Sequence, residues 1–226
     1  MVDKYELRNG SDQPADYWQT TSDPYNNLDR RFNATIYHHG YKLGKTVGPF
    51  TLDMRMEPAG DQYPQGNQAF TGYYLAKFFD DDYIAGAGNY PQAFWPYMRL
   101  SDLYLMYAEA LAETDLPTAL TWLNKTRIRA GLDELTSDDV KTKAEFIREL
   151  AAERGREFAL EGHRWFDLCR WGIAYEVMDK DNGSYGKNES AEARAEMASF
   201  VKGKHELFPI PAEEINLNPM EQNNGY

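Results

Sequence analysis

The feature that most constrains this chain is a run of helical periodicity that begins at Tyr97. In YMRLSDLYLMYAEALAE, Leu100, Leu103, Tyr104, Tyr107, Ala108 and Leu111 recur at three- and four-residue spacing, which puts them on one helix face. Asp115 follows as an N-cap candidate before Leu116-Pro117, where proline is tolerated in a first turn. The second helix carries Leu120, Leu123, Arg127 and Ile128 on one side and stops near Gly131, a residue suited to the left-handed position after a helix. Two helices joined by so short a turn form an antiparallel hairpin, with Ala108, Ala110 and Ala119 small enough to let them approach.

The pair resembles one tetratricopeptide-type unit, although no second copy recurs at a fixed period. A third helix is expected from Thr142, which forms a capping box with Glu145, through FIRELAAERGREFALE to a stop or kink at Gly162. A shorter helix is expected in HRWFDLCRWGIAYEVM, and another starts at PAEEI with its acids in the first turn. Residues 98–178 therefore read as a helical core, and 179–226 as a polar loop followed by a tail. Residues 1–97 are different: Gly, Pro, Asn and Asp separate scattered aromatics, which predicts turns, short strands and long loops. One extended segment is expected in RRFNATIYHHG, where Phe32, Ala34 and Ile36 alternate. The fold class is mainly α with long irregular loops.

Length and charge exclude several functions. The 226 residues suit one domain with a real core. A net charge of −12 opposes nucleic-acid binding, which needs a basic footprint, and opposes adsorption to anionic lipid. There is a single cysteine, Cys169, so no intrachain disulfide can form. No apolar run is long enough to span a membrane, and the first residues lack the apolar core of a signal peptide.

The densest chemistry lies in ERGREFALEGHRWFDLCRWG, residues 153–172. Glu157 and Glu161, at i and i+4, suggest the carboxylate pair of a glycan-processing hydrolase. Neighbours on one helix point the same way, however, and cannot flank a sugar from two sides. Helical spacing instead pairs Arg154 with Glu157, Glu161 with Arg164, His163 with Asp167, and Asp167 with Arg170. No catalytic residue is assigned. No metal or cofactor is expected either: His163 lacks an HExxH partner, and the adjacent His38 and His39 would diverge. Asp80, Asp81 and Asp82 could hold calcium but lack the alternation of an EF-hand loop, so a solvated acidic loop is the simpler reading. Cys169 reads as a small hydrophobe beside Trp165, Leu168 and Trp171. The remaining signal is aromatic. Tyr5, Tyr17, Trp18, Tyr25, Tyr63, Tyr73, Tyr74 and Trp95 stand among amides and carboxylates, the composition of surfaces that stack on sugar faces.

Several motifs together resemble the SusD/RagB nutrient-binding lipoproteins. ERGREFALEGHRWFDLCRWG looks like that family's signature helix, and YMRLSDLYLMYAEALAE with ALTWLNKTRIRAGL like the helix pair before it. ELFPIPAEEINLNPMEQNNGY is similar to its C-terminal tail, and VDKYELRNGSDQ and LDRRFNATIYHHG to the segments opening that half. The resemblance implies a SusD-like helical fold and noncatalytic capture of an oligosaccharide, or of a peptide in some members. It also implies a SusC-like TonB-dependent transporter as partner, on the outer membrane facing outward, with membrane attachment only through an N-terminal lipid. Set against that pattern, the chain reads as the C-terminal part. The N-terminal half with its lipid-bearing cysteine and most of the tetratricopeptide-like helices is missing, so an apolar helix face should be left exposed. The expected ligand contacts are Tyr5, Tyr17, Trp18 and Tyr25, in the loop-rich, ligand-facing part, residues 1–97.

Overall fold

The computed structural model describes residues 2–43, 50–52, 73–79, 94–179 and 199–226. Tyr63 and the Asp80–Asp82 run lie outside the described residues. The chain is mainly helical and divides into two compact units, residues 1–164 and 165–226.

In the first unit a short 3-10 turn (Val2–Lys4) and α1 (Tyr17–Thr20) precede α2 (Arg30–Thr35). Residues 30–35 are helical rather than extended, which corrects the alternation read in RRFNATIYHHG. The Asp29 side chain accepts from the Arg31 amide and caps the helix, while Phe32 and Thr35, three apart, share its buried face. Only then does the chain extend as β1 (Ile36–Tyr37). It pairs antiparallel with β4 (Tyr74–Leu75), in register Ile36 to Leu75; β2 (Lys42–Leu43) pairs with β3 (Phe50–Thr51).

The helical hairpin forms as its sequence dictates. α3 (Leu100–Leu111) and α4 (Leu116–Ala130) are joined by a turn in which the Asp115 carboxylate caps the Thr118 amide at 3.1 Å. At the far end Gly131 adopts φ +82°. Its amide donates to the Ile128 carbonyl and that of Leu132 to the Arg127 carbonyl, the paired bonds of a Schellman cap. Ala108 and Ala119 are fully buried, but Ala110 is exposed and has no part in the close approach.

α3 also buries a different face from the one its apolar pattern predicts. Ser101, Asp102, Leu105 and Ala108 turn inward, whereas Leu100 is 61% and Leu103 54% exposed. The cause is electrostatic. Arg154 of α5 (Lys143–Glu157) is buried and bonds Asp102 at 2.9 Å, so the face that carries Asp102 has to face α5. α4 likewise buries Leu120, Leu123 and Arg127 but leaves Ile128 exposed. Tyr104 and Tyr107 keep partial cover from Trp122, with ring centres 5.4 and 4.9 Å away. α5 begins with the expected capping box of Thr142 and Glu145 and buries Phe146 and Leu150.

In the second unit α6 (Arg164–Arg170, whose first residue belongs to the first unit) and α7 (Ala174–Met178) are separated by Gly172 at φ +70°. They pack Leu168, Ala174 and Phe200 into a small core that Trp165 and Cys169 border. Burial, with Glu206 nearby, pushes the Cys169 thiol pKa up, away from the thiolate a nucleophile needs. Before α8 (Ala212–Leu217), the Phe208–Pro211 segment has few backbone donors of its own, and the tail supplies partners. Gln222 accepts from the Ile210 amide and donates to its carbonyl, and Asn223 donates to the Phe208 carbonyl.

Because Gly131 holds a left-handed conformation, Gly131→Ala should cost about 1–2 kcal/mol. The check is the shift in urea midpoint at unchanged m-value; no shift would show that the cap adds nothing to stability.

Candidate functional site

The charges of residues 153–161 find their strongest partners far away in sequence. Glu153 and Glu157 lie on one face of α5 and are both buried. Arg31, from α2, donates to Glu153 at 2.7 Å and Glu157 at 3.1 Å while holding Asp29 at 2.6 Å. Arg99, just before α3, donates to Glu157 at 2.9 Å and grips both oxygens of Glu161 at 2.8 Å. Arg129, in the last turn of α4, places one nitrogen 2.6 Å from each Glu157 oxygen.

The pairing of these acids with helical neighbours is therefore corrected: three segments converge on α5 and clamp it. Of the pairs expected from spacing, Asp167 with Arg170 forms, at 3.0 Å. Arg164 donates to the Ala151 carbonyl, and Arg154 takes Asp102. The reason is burial. A carboxylate out of water needs several donors, and one helical neighbour cannot supply them.

Beyond α5 the chain turns sharply, with Leu160 at φ +67° and Gly162 at φ +85°. This turn brings Glu161 back beneath the helix end. The Lys77 amine caps that end, donating to the Glu157 and Ala159 carbonyls at 3.2 and 3.1 Å, and pairs with Glu161 at 2.5 Å. The adjacent Phe78 sits at φ +70°, a conformation that a bulky side chain rarely adopts.

The network encloses one side of a cavity of about 510 Å³, partly open to solvent. Arg31, Lys77, Arg99, Arg129 and Arg156 line it together with Glu157 and Glu161, and Phe78, Phe79 and Phe94 supply an apolar wall.

Burial alone would raise the pKa of Glu157, but hydrogen bonding from Arg99 and the charges of Arg129 and Arg31 hold it below the usual glutamate value. An acid held ionised in this way has no proton to donate to a leaving group, so it is poorly placed as a glycosidase general acid. Glu153 is more extreme. Burial opposes its charge, but Arg31 and Arg156 outweigh that and bring it down to about 2.

The predicted aromatic contacts gather in a second place. Tyr5 and Tyr17 are 1% and 4% exposed and belong to the core around Leu28 and Phe32, so neither ring is available to stack on a ligand from solvent. The Tyr17 hydroxyl is also committed, donating to the Pro24 carbonyl at 2.6 Å. Trp18 and Tyr25 are partly buried against that core, and their rings meet at 5.7 Å and 54°. Tyr25 stacks on His38 at 3.9 Å and on Phe32 at 6.0 Å. His38 spends its ring nitrogens on the His39 carbonyl and the Asn33 side chain. Burial lowers its pKa. Tyr73 packs on the same core, and Trp95 meets Phe78 at 4.8 Å. Among the described residues no three His, Cys, Asp or Glu side chains come together as a metal site.

Sequence reasoning missed Arg31, Lys77, Arg99 and Arg129 as parts of this centre. One signal was available. Arg127 shares an apolar helix face with Leu120 and Leu123, and such an arginine requires an acid; it finds Glu6 at 2.7 Å.

Over all of residues 1–226 the chain matches the SusD family model, and it belongs to that family. It is 33% identical to the SusD-like protein P25 of Formosa agariphila over 57% of this chain and 24% of that one. It is also 33% identical to the starch-binding protein SusD of Bacteroides thetaiotaomicron, over 61% of this chain and 22% of that one. A SusD-like protein structure from Bacteroides fragilis superposes with a TM-score of 0.78 at 26% identity, across 100% of this chain and 46% of that one. A laminarin-binding SusD-like protein does so with 0.52 at 29% identity, across 88% and 35%. The chain thus spans less than half the length of each.

Glu153 gives the centre a pH signature. A carboxylate whose pKa is depressed on folding adds stability that is fully present above its unfolded value near 4.5 and is lost as pH falls toward 2. The shift corresponds to on the order of 3 kcal/mol. Thermal unfolding followed from pH 6 to 2 should show that loss, and Glu153→Gln should be less stable at pH 6 with a flatter acid limb.

Proposed function

We propose that the chain is a noncatalytic glycan-binding portion of a SusD-type protein, which captures an oligosaccharide at the cell surface for import. The observation that carries this reading is the stepped pair Trp18 and Tyr25. Both rings are held at an angle by a rigid aromatic core, with the exposed amides of Gln19, Asn26 and Asn27 close by in sequence. Flat apolar faces edged by amide groups match the alternating C–H faces and hydroxyls of a sugar ring. In this proposal Trp18 and Tyr25 touch the ligand, whereas Tyr5 and Tyr17 act from below by fixing their angle. The loop-rich part, residues 1–97, is its ligand-facing side.

The names of relatives support the substrate class, since one is called starch-binding and another laminarin-binding. The wider setting extends the proposal: surface exposure on the outer membrane, a lipid anchor carried elsewhere in the full-length protein, and delivery to a SusC-like TonB-dependent transporter. A peptide ligand is the alternative within the family. A hydrolase built on Glu157 and Glu161 is disfavoured, because Arg99 binds both acids and the pKa of Glu157 is held low.

Calorimetry against a panel of neutral oligosaccharides tests the reading. At least one member should bind, and Trp18→Ala should weaken it about tenfold, or ~1.4 kcal/mol, while Trp18→Phe keeps part of the affinity. Unchanged affinity in Trp18→Ala would remove Trp18 from the site, and steady release of shortened sugars would make the protein an enzyme.

A further inference from the structure

The arginine-lined cavity has no role in the glycan contacts proposed above, and its chemistry is of a different kind. Its wall holds five cations, Arg31, Lys77, Arg99, Arg129 and Arg156, against two carboxylates, Glu157 and Glu161. The other acids of the network, Asp29, Glu153 and Glu6, are buried and are not part of the wall. Those buried acids still bond Arg31 and Arg156, so the five cations of the wall are met by five carboxylates, and what the concavity can offer is a directed donor rather than net charge.

The donors of the five are not spent equally. The three Lys77 N–H groups face Glu157, Ala159 and Glu161, and Arg31 divides its nitrogens among Asp29, Glu153 and Glu157. Arg99 is committed through all three of its nitrogens to Glu157, Glu161 and Ser101. Arg156 donates to Glu153 and the Lys4 carbonyl.

Arg129 is the exception. It meets Glu157 through a single nitrogen, Nη2, so Nε and Nη1 have no acceptor among the described residues, and its side chain is 59% exposed. That bond anchors one end of the guanidinium, so its planar fork offers a preset donor edge at the cavity wall. The opposite chemistry is supplied by Phe78, Phe79 and Phe94, the last two at least half exposed. The backbone at Phe78 is held in the left-handed region, the kind of local strain that persists where the surroundings impose a particular side-chain position.

We infer that this cavity is a subsite for an anionic sugar, in which the carboxylate or sulfate ester of one unit meets Arg129 and its ring lies against the phenylalanine wall. The assignment rests on the glycan-binding reading and narrows it: the natural ligand carries acidic units as well as units that stack on Trp18 and Tyr25. Because Arg31, Arg99 and Lys77 are already paired with acids, the attraction comes from the exposed Arg129 edge, and binding there should weaken as salt rises.

The test uses the whole chain, labelled with nitrogen-15, and single sugars that avoid any question of linkage. The Nε–H resonance of Arg129, assigned by its absence in Arg129→Gln, is followed during titration with D-glucuronate, D-glucose 6-sulfate, D-glucose and inorganic sulfate. One or both anionic sugars should shift it saturably, at concentrations at least tenfold below those at which glucose or inorganic sulfate acts. Which of the two does so distinguishes a carboxylate from a sulfate ligand. Arg129→Lys, which keeps the charge and loses the fork, should bind the preferred sugar with intermediate affinity, and melting curves show whether each variant is folded. An equal response to glucose, or to inorganic sulfate, overturns the inference, as does a shift of other resonances with Arg129 unmoved. Failure of the neutral panel with a retained Arg129 response would instead overturn the reading above and leave the anion subsite standing.

Discussion

The first unit depends on the burial of Glu153 and Glu157 along one face of α5. Two carboxylates one helical turn apart, both out of water, repel one another and lose hydration, so each must collect cations. Arg31, Arg99, Arg129 and Arg156 come from α2, from the approach to α3, from the end of α4 and from α5 itself. Satisfying two side chains thereby fixes three segments, α2, the approach to α3 and the end of α4, against α5. A greasy contact could tolerate a shifted helix; a bidentate arginine bond at 2.7 Å cannot.

That logic explains which parts of the structure are legible in the sequence. Asp115, Gly131, Thr142 and Glu145 act within a few residues of themselves, and each does what its local pattern implies. The face that α3 buries is set by Asp102 answering Arg154, 52 residues away, and no apolar periodicity encodes that. The same limit applies to Glu157 and Glu161, whose helical neighbours look sufficient until burial is known. Residues 30–35 fail for another reason. Phe32, Ala34 and Ile36 fit a period of two, while Phe32 and Thr35 fit a helix, and the Asp29 cap decides between them.

The aromatic residues show a parallel division. Composition identifies a ring-rich region correctly, but it cannot separate rings that build a surface from rings that present one. Tyr5 and Tyr17 are drawn into the core because Leu28, Phe32 and Ile36 offer them apolar neighbours, and Trp18, next in sequence to Tyr17, is left at its edge. Adjacent residues on a helix point about 100° apart, and on this one-turn helix only Tyr17 faces the core squarely.

The exposed stripe of Leu100, Leu103 and Tyr107 has a colloidal consequence. At neutral pH, copies of this chain repel one another through twelve excess negative charges, which keeps such stripes apart. Near the isoelectric point of about 4.8 that repulsion vanishes while the apolar surface is unchanged. Mild acidification therefore removes the electrostatic barrier between such stripes while Glu153, held down to about 2, still keeps its charge in the α5 network.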